Sequence, residues 1–267
     1  MRVIAMTGLK GGVGKTAAAV NVAALAARDG HRTLLWDLDA QAAATHCFAL
    51  RPKLKGGVDR LFGGNRGLQT MVKGTDHERL DVVPAEMSLR RADLLVSGAR
   101  KPRRLVKRLL TDAGRRYEVV VIDCAPGIGA VAETVASSSD LLLVPVIPSP
   151  LGMRAFDEYA AFLAREGGDT RLLAPFLSLV DRRKPMHRRL EVDAQHDPRF
   201  LRASVALSSA VERLGEEQVP TVDSAPHSLA AAGYRQLWAE VAERADIVSD
   251  HAPGDAELRP PGLRLGR

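Results

Sequence analysis

The run Lys10-Gly11-Gly12-Val13-Gly14-Lys15-Thr16 follows a short apolar segment and precedes an alanine-rich one. Its glycines let the backbone curl so that successive N–H groups point inward at one anion. A helix that begins at the end of the run offers its positive N-terminus to the same anion. The sequence therefore predicts a strand over residues 2–7, a phosphate-binding loop, and a helix over residues 17–28 that ends before Gly30.

This loop predicts a site for a nucleoside triphosphate and Mg²⁺. Lys15 is expected to reach the β- and γ-phosphates, and the hydroxyl of Thr16 is expected to bind Mg²⁺. The residues predicted to contact the nucleotide are contiguous in the chain: Gly11, Gly12, Val13, Gly14, Lys15, Thr16 and Ala17.

Two other segments place carboxylates at the ends of predicted strands. Asp37 and Asp39 lie at the end of a strand predicted over residues 33–37, and Asp123 ends a strand over residues 117–123 that is apolar on both faces. In a doubly wound sheet the carboxyl ends of the strands meet at one crevice. We expect Asp37 and Asp39 to hold Mg²⁺-bound waters and orient the attacking water, and Asp123 to hold Mg²⁺ directly or through water.

Strand and helix signals alternate along the chain, which predicts an α/β fold with a mostly parallel central sheet and helices on both faces. Further strands are predicted at 80–84, 141–146 and 172–180 and inside 199–207, and further helices at 154–165 and 228–244. No linker divides the chain before residue 250, so residues 1–250 are predicted to form a single domain. The composition then changes to Pro, Gly and Arg, and residues 251–267 are predicted to be a disordered tail.

The composition excludes several classes of protein. The 267 residues are 46% hydrophobic, enough for one large core or at most two small ones. The chain has no apolar run of membrane-spanning length and no signal-peptide pattern. Its two cysteines, Cys47 and Cys124, lack metal-ligand spacing, and Cys124 is expected to be a small core residue. These observations predict a reduced, cytoplasmic protein that does not bind a membrane.

The chain has a net charge of +6, and its cations are grouped. In the first basic cluster Asp112 is the only acid among eight cations: Arg100, Lys101, Arg103, Arg104, Lys107, Arg108, Arg115 and Arg116. The second basic cluster contains Arg182, Arg183, Lys184, Arg188 and Arg189. Two separated clusters fit the phosphates of nucleic acid better than a small ligand, and a merely solvated basic surface is the alternative.

The phosphate-binding loop departs from the usual motif at its start. Leu9 occupies the position of the first glycine, and Lys10 adds a second lysine. Because Lys15 already serves the loop's own phosphate, Lys10 would reach the phosphates of a neighbouring subunit. This deviant Walker A motif resembles that of the ParA/MinD family of dimerising ATPases, and small Soj-like ParA proteins in particular. Other similar segments are residues 80–86, 144–151, 219–228 and 232–235.

The resemblance implies a P-loop NTPase fold and a homodimer that sandwiches two ATP molecules. Lys10 and Lys15 would be catalytic from opposite subunits, and Asp39 would position or activate the water. Asp37 would act nearer the metal, which Thr16 and Asp123 would also hold. Ala40 replaces a proline of the family's Asp-Leu-Asp-Pro-Gln pattern, which is expected to loosen this loop.

The same resemblance gives three lesser expectations. Asn21 stands where ParA relatives also carry asparagine, so it is expected either near the dimer face or facing solvent. Asp181 and Arg182 end a predicted strand where relatives contact the nucleotide base. Residues 203–210 contain few cations where many DNA-binding relatives carry arginines, so a DNA surface would rest on the two basic clusters.

The implied function is that of a ParA-type ATPase whose ATP-bound dimer binds DNA without sequence preference and is nucleoid-associated. A ParB-like or other cargo-bound protein would stimulate hydrolysis and thereby move or space a plasmid, a chromosome or a protein assembly. A MinD-like regulator of cell division or flagellar placement is an alternative, disfavoured by the lack of an amphipathic C-terminal segment and by the basic charge. A metabolic P-loop enzyme is a second alternative. The cysteine spacing disfavours an iron–sulfur relative.

Overall fold

A twisted parallel sheet forms the centre of the protein. The computed structural model describes residues 1–63 and 67–248. Within these ranges the strands are β1 (Arg2–Met6), β2 (Thr33–Asp37), β3 (Lys73–Gly74), β4 (Leu80–Val83), β5 (Val119–Asp123), β6 (Leu141–Val146), β7 (Leu173–Val180) and β8 (Ser204–Ala206). Their order in the sheet is β3-β4-β2-β5-β1-β6-β7-β8, and every pair is parallel except β3 with β4.

Helices cover both faces of this sheet. In the described ranges they are α1 (Lys15–Arg28), α2 (Ala43–His46), α3 (Gly57–Gly63), α4 (Ala92–Ser97), α5 (Pro102–Ala113), α6 (Ala130–Ala136), α7 (Pro150–Arg165), α8 (Pro185–His196), α9 (Ser209–Glu212), α10 (Leu214–Glu217), α11 (Thr221–Ser224) and α12 (Leu229–Arg244). The predicted α/β fold in a single domain is therefore confirmed.

Side chains of the central strands alternate between two cores. In β2, Leu34 and Trp36 belong to the core beneath α3 to α7, whereas Leu35 belongs to the core beneath α1 and α12. Because both faces are covered, the interior positions of these strands are apolar, as expected for buried parallel strands. Burial on both faces fixes where the strands end, and with them the position of Asp37 and Asp123, the last residues of β2 and β5.

Most predicted boundaries agree with the structure, and the differences have local causes. The strands predicted at 33–37 and 141–146 match β2 and β6. The helix predicted from residue 154 begins at Pro150, because Ser149 accepts a hydrogen bond from the N–H of Gly152 and Pro150 suits the first helical position. The two-residue strand β3 was not predicted, since so short an edge strand carries no periodicity.

In the described ranges, none of the helices is both long and apolar enough to cross a bilayer. The predicted tail at 251–267 lies outside the described residues.

Candidate functional site

The glycine-rich loop connects β1 to α1 at the carboxyl edge of the sheet. Gly14 precedes the helix with φ 92°, in the left-handed region that favours glycine. A Cβ at this position would lie 2.8 Å from the hydroxyl oxygen of Ser178 in β7. Both the backbone conformation and the neighbouring strand therefore require glycine here.

Lys15 turns its ammonium group into the loop. Its Nζ donates a hydrogen bond of 2.7 Å to the carbonyl oxygen of Lys10, and the residue is only 7% exposed. Burial lowers the pKa of Lys15, and the carboxylate of Asp123 opposes that shift. A buried cation in a glycine-rich loop at a helix N-terminus suits a phosphate.

Lys10 points in a different direction. Its exposed side chain leaves the loop, and its Nζ donates a hydrogen bond of 2.7 Å to the carbonyl oxygen of Leu151 in the first turn of α7. The Leu151 side chain is itself 68% exposed. The two lysines of the motif therefore divide between the interior of the loop and the surface of the protein.

Asp37 and Asp123 occupy paired positions on the neighbouring strands β2 and β5. Asp37 is buried, and both of its carboxylate oxygens accept hydrogen bonds. Oδ1 accepts from the N–H of Asp39 at 3.1 Å, and Oδ2 accepts from the N–H and the hydroxyl of Thr45 at 2.8 and 2.7 Å. Burial raises the pKa of Asp37, and these hydrogen bonds oppose the rise. Asp37 thus holds the loop between β2 and α2, and its part in metal binding stays a prediction.

Sequence reasoning did not identify Thr45. Besides donating to Asp37, its Oγ1 accepts a hydrogen bond of 2.9 Å from the N–H of Ala85, just after β4. The residue therefore joins the ends of β2 and β4. Its position eight residues after Asp37 follows no motif spacing, so only the folded chain reveals it.

Asp123 differs from Asp37 because its buried carboxylate is not held by hydrogen bonds from the described residues. It is 1% exposed, and neither of its oxygens has a hydrogen-bond partner among the described residues. Burial raises the pKa of Asp123, and the nearby carboxylate of Asp37 raises it further. The hydroxyl of Thr16 and the ammonium of Lys15 oppose the rise. An uncompensated buried carboxylate has a large desolvation cost, and a cation would remove it.

The residues around Asp123 fit Mg²⁺. Over residues 1–63 and 67–248, no group of three or more His, Cys, Asp and Glu side chains is placed to hold a metal. Mg²⁺ is ordinarily held by one or two carboxylates with phosphates and waters, so a full protein cage is not needed. Asp123 and Thr16 would supply the protein ligands beside the nucleotide.

Asp39 lies in the turn that follows β2. Its Oδ1 accepts from the N–H of Gln41 at 2.9 Å, and its carbonyl accepts from the N–H of Ala42 at 2.8 Å. These bonds form the turn although Ala40 stands where the resembling family has proline. The side chain of Asp39 is partly exposed, so solvent water can reach it.

The lesser expectations have mixed outcomes. Asn21 is fully buried; its Oδ1 accepts from the N–H of Val222 at 2.9 Å and its Nδ2 donates to the carbonyl of Ala17 at 2.8 Å, so it does not face solvent. Asp181 pairs with Arg183, and Arg182 pairs with Glu191, each at 2.8 Å. Contact of Asp181 or Arg182 with a nucleotide base stays a prediction.

Comparison with known proteins agrees with this geometry. The sporulation initiation inhibitor protein Soj of Bacillus subtilis is 35% identical over 147 residues, which cover 54% of this chain and 58% of Soj. A family model described as an AAA domain matches residues 1–165. The chain belongs to the ParA/MinD family of P-loop ATPases.

Solved structures of ParA/MinD proteins share the fold. A plasmid partition protein from Borrelia burgdorferi superposes with a TM-score of 0.70 at 18% identity, covering 91% of this chain and 98% of that one. The septum site-determining protein MinD from Pyrococcus horikoshii, complexed with Mg-ADP, superposes with a TM-score of 0.73 at 19% identity, covering 90% and 95%. By contrast, the sequence match spans only about half the length of Soj, of a putative replication protein A of Sinorhizobium fredii and of the chromosome partitioning protein ParA of Myxococcus xanthus.

Proposed function

We propose that this chain is a Mg²⁺-dependent ATPase of ParA type, which dimerises on ATP, binds DNA without sequence preference and positions or segregates a cargo. The observation that carries the proposal is the division of its two loop lysines: Lys15 is buried inside the loop, and Lys10 lies at the surface. One lysine is available for the chain's own phosphates and the other for those of a partner.

The chain's own residues supply most of what phosphoryl transfer requires. The N–H groups of residues 11–17 and the ammonium of Lys15 bind and orient the phosphates. Thr16 and Asp123 would hold Mg²⁺, which neutralises charge that develops on the phosphate oxygens. Asp39, partly exposed beside this cluster, would position the attacking water.

Lys10 completes the site only in a dimer. Its hydrogen bond to the carbonyl of Leu151 lies at the surface and contributes about 0.5–1.5 kcal/mol, so replacing it with a phosphate contact has a low cost. In the proposed dimer, the ammonium of Lys10 adds a positive charge to the transferring phosphoryl group of the other subunit. Such a charge stabilises the transition state of phosphoryl transfer.

DNA binding and cargo positioning rest on charge and on the relatives. The net charge is +6, and nucleic-acid phosphates are the polyanion that two exposed cationic clusters suit. The plasmid partition protein among the structural neighbours and the chromosome partitioning protein ParA among the sequence relatives favour a partition or positioning role. A cargo-bound protein would stimulate hydrolysis and release this chain from the nucleoid.

The test compares the wild type with Lys10→Ala and Lys15→Ala, using the exposed Lys73→Ala in β3 as the matched control. Nucleotide affinity, sedimentation and binding to duplex DNA are measured with ATP, with ADP and without nucleotide. Lys15→Ala is expected to lose nucleotide binding. Lys10→Ala is expected to bind ATP yet remain a monomer that does not bind DNA, while Lys73→Ala matches the wild type. A Lys10→Ala protein that dimerises on ATP as the wild type does would contradict the proposal.

A further inference from the structure

Helix α5 carries one continuous cationic face. Val106, Leu109 and Leu110 are buried in the core, and the exposed positions of the helix and its flanks are almost all basic. This α5 face consists of the exposed side chains of Arg100, Lys101, Arg103, Arg104, Lys107, Arg108, Arg115 and Arg116. At 1.5 Å of rise per residue, the helical part and its C-terminal flank extend for roughly 20 Å.

Few carboxylates neutralise the α5 face. Arg116 pairs with Asp81 at 3.2 Å, and Arg103 donates to the carbonyl of Glu166 at 3.2 Å. Asp112, the only acid in this stretch, accepts from the N–H of Gln69. Within the described part of the chain, six members of the face form no ion pair: Arg100, Lys101, Arg103, Arg104, Lys107 and Arg115.

The second basic cluster, at the start of α8, differs in this respect. Arg182 is held by Glu191 and Arg183 by Asp181, each at 2.8 Å. The guanidinium groups in turn lower the pKa of both acids, that of Asp181 to about 2, so these acids stay ionised at neutral pH. Two of the five cations of the second cluster are therefore neutralised within the protein.

We infer that the α5 face is the principal surface that contacts the phosphate backbone of duplex DNA. This inference rests on the proposed DNA-binding function and assigns it to one surface. Unpaired lysines and arginines on an exposed helix release counterions from DNA when they bind phosphates, and they do so without reading the bases. The face therefore suits binding without sequence preference.

The composition of the face favours DNA over a membrane. Amphipathic helices that bind lipid surfaces bury large apolar side chains in the interface. Between residues 100 and 116 of the described structure, no large apolar side chain is exposed. The apolar side of α5 is already buried in the core of the protein, so nothing remains to insert into lipid.

The test compares two double variants with the same change in net charge. Arg104→Glu/Lys107→Glu alters the α5 face, and Arg188→Glu/Arg189→Glu alters the second cluster at positions that are also exposed. Affinity for duplex DNA is measured with ATP across a salt series. The α5 variant is expected to lose at least about tenfold in affinity, and its log–log salt slope should become shallower by about 0.9 for each phosphate that it no longer neutralises. The α8 variant should remain within about threefold of the wild type.

Two further measurements make the result specific. The neutral variant Arg104→Gln/Lys107→Gln should lose less affinity than the glutamate variant, and all variants should keep wild-type ATP-dependent sedimentation. Vesicles of phosphatidylglycerol and phosphatidylcholine test the membrane alternative. The assignment would be overturned, and the proposed function left intact, if the wild type binds DNA and the α5 variant binds it equally well. The same conclusion would follow if both double variants lost equal affinity. A wild type that binds no DNA, or only the vesicles, would overturn both.

Discussion

Asp37 and Asp123 lie side by side on β2 and β5, both are buried, and only Asp37 has hydrogen-bond partners among the described residues. Two carboxylates this close in a region of low dielectric repel each other when both are ionised. This electrostatic repulsion is located at the carboxyl edge of the sheet, where the nucleotide loop also lies. Asp37 is held by hydrogen bonds within the protein, whereas the carboxylate of Asp123 lacks such partners among the described residues, although both residues end apolar strands.

Replacing Asp123 is expected to stabilise the nucleotide-free protein. Burial and Asp37 raise the pKa of Asp123 above its unfolded value, so its contribution to stability is present at low pH and is lost as pH rises through the folded pKa. Asp123→Asn removes that loss, and at neutral pH we expect the variant to have a larger free energy of unfolding than the wild type. Urea denaturation from pH 4 to pH 8 measures it.

Stabilisation of the protein by its ligand provides a second test of Asp123→Asn. Mg²⁺ with ATP should raise the midpoint of unfolding of the wild type and raise that of the variant much less. A stability difference that does not grow with pH would contradict the electrostatic account of Asp123.

Thr45 is expected to stabilise the protein because it donates two hydrogen bonds to the carboxylate of Asp37. Thr45→Val leaves Oδ2 of Asp37 with one donor fewer and leaves the N–H of Ala85 without its acceptor. We expect a loss of about 1–3 kcal/mol in the free energy of unfolding, measured by urea denaturation. Thr45→Ser keeps the hydroxyl and should recover most of the stability. A larger loss in the Ser variant than in the Val variant, which keeps the methyl group, would show that packing of the methyl group rather than the hydrogen bonds is what counts.

The loop glycines are expected to differ in their tolerance of a methyl group. Gly14 and Gly12 both have positive φ, but a Cβ at Gly14 meets Ser178 whereas one at Gly12 meets nothing within 4 Å. Backbone strain alone costs about 1–3 kcal/mol at either site. Gly14→Ala should therefore reduce stability and nucleotide affinity more than Gly12→Ala. Gly14→Ala combined with Ser178→Gly should recover part of the difference, and no recovery would exclude the steric explanation.

Asn21 is expected to stabilise the fold rather than the dimer. It joins α1 to α11 through the N–H of Val222 and is inaccessible from the surface. Asn21→Ala should cost about 1–3 kcal/mol in the free energy of unfolding, because the buried N–H loses its acceptor. Sedimentation of the folded variant with ATP should match that of the wild type. Loss of dimerisation at full stability would instead favour a role at the dimer face.

The sequence by itself determined the class of fold and the place of the nucleotide loop. Contiguous residues carry both signals: glycines that permit positive φ between a strand and a helix, and strands that are apolar on both faces because helices cover both. The ends of β2 and β5 then followed from the last apolar residue, which placed Asp37 and Asp123 at one edge. Both signals are local, so they can be recognised in the sequence without knowing how the chain packs.

Only the tertiary structure decided what the individual charges do. Lys10 meets Leu151 across 141 positions of the chain, and Thr45 meets Ala85 across 40, so no spacing in the sequence encodes either contact. The choice between the two basic clusters depended in the same way on whether Glu191 lies within reach of Arg182. Hydrogen bonds and ion pairs act over a few ångströms, and folding alone sets which distant residues come within that range.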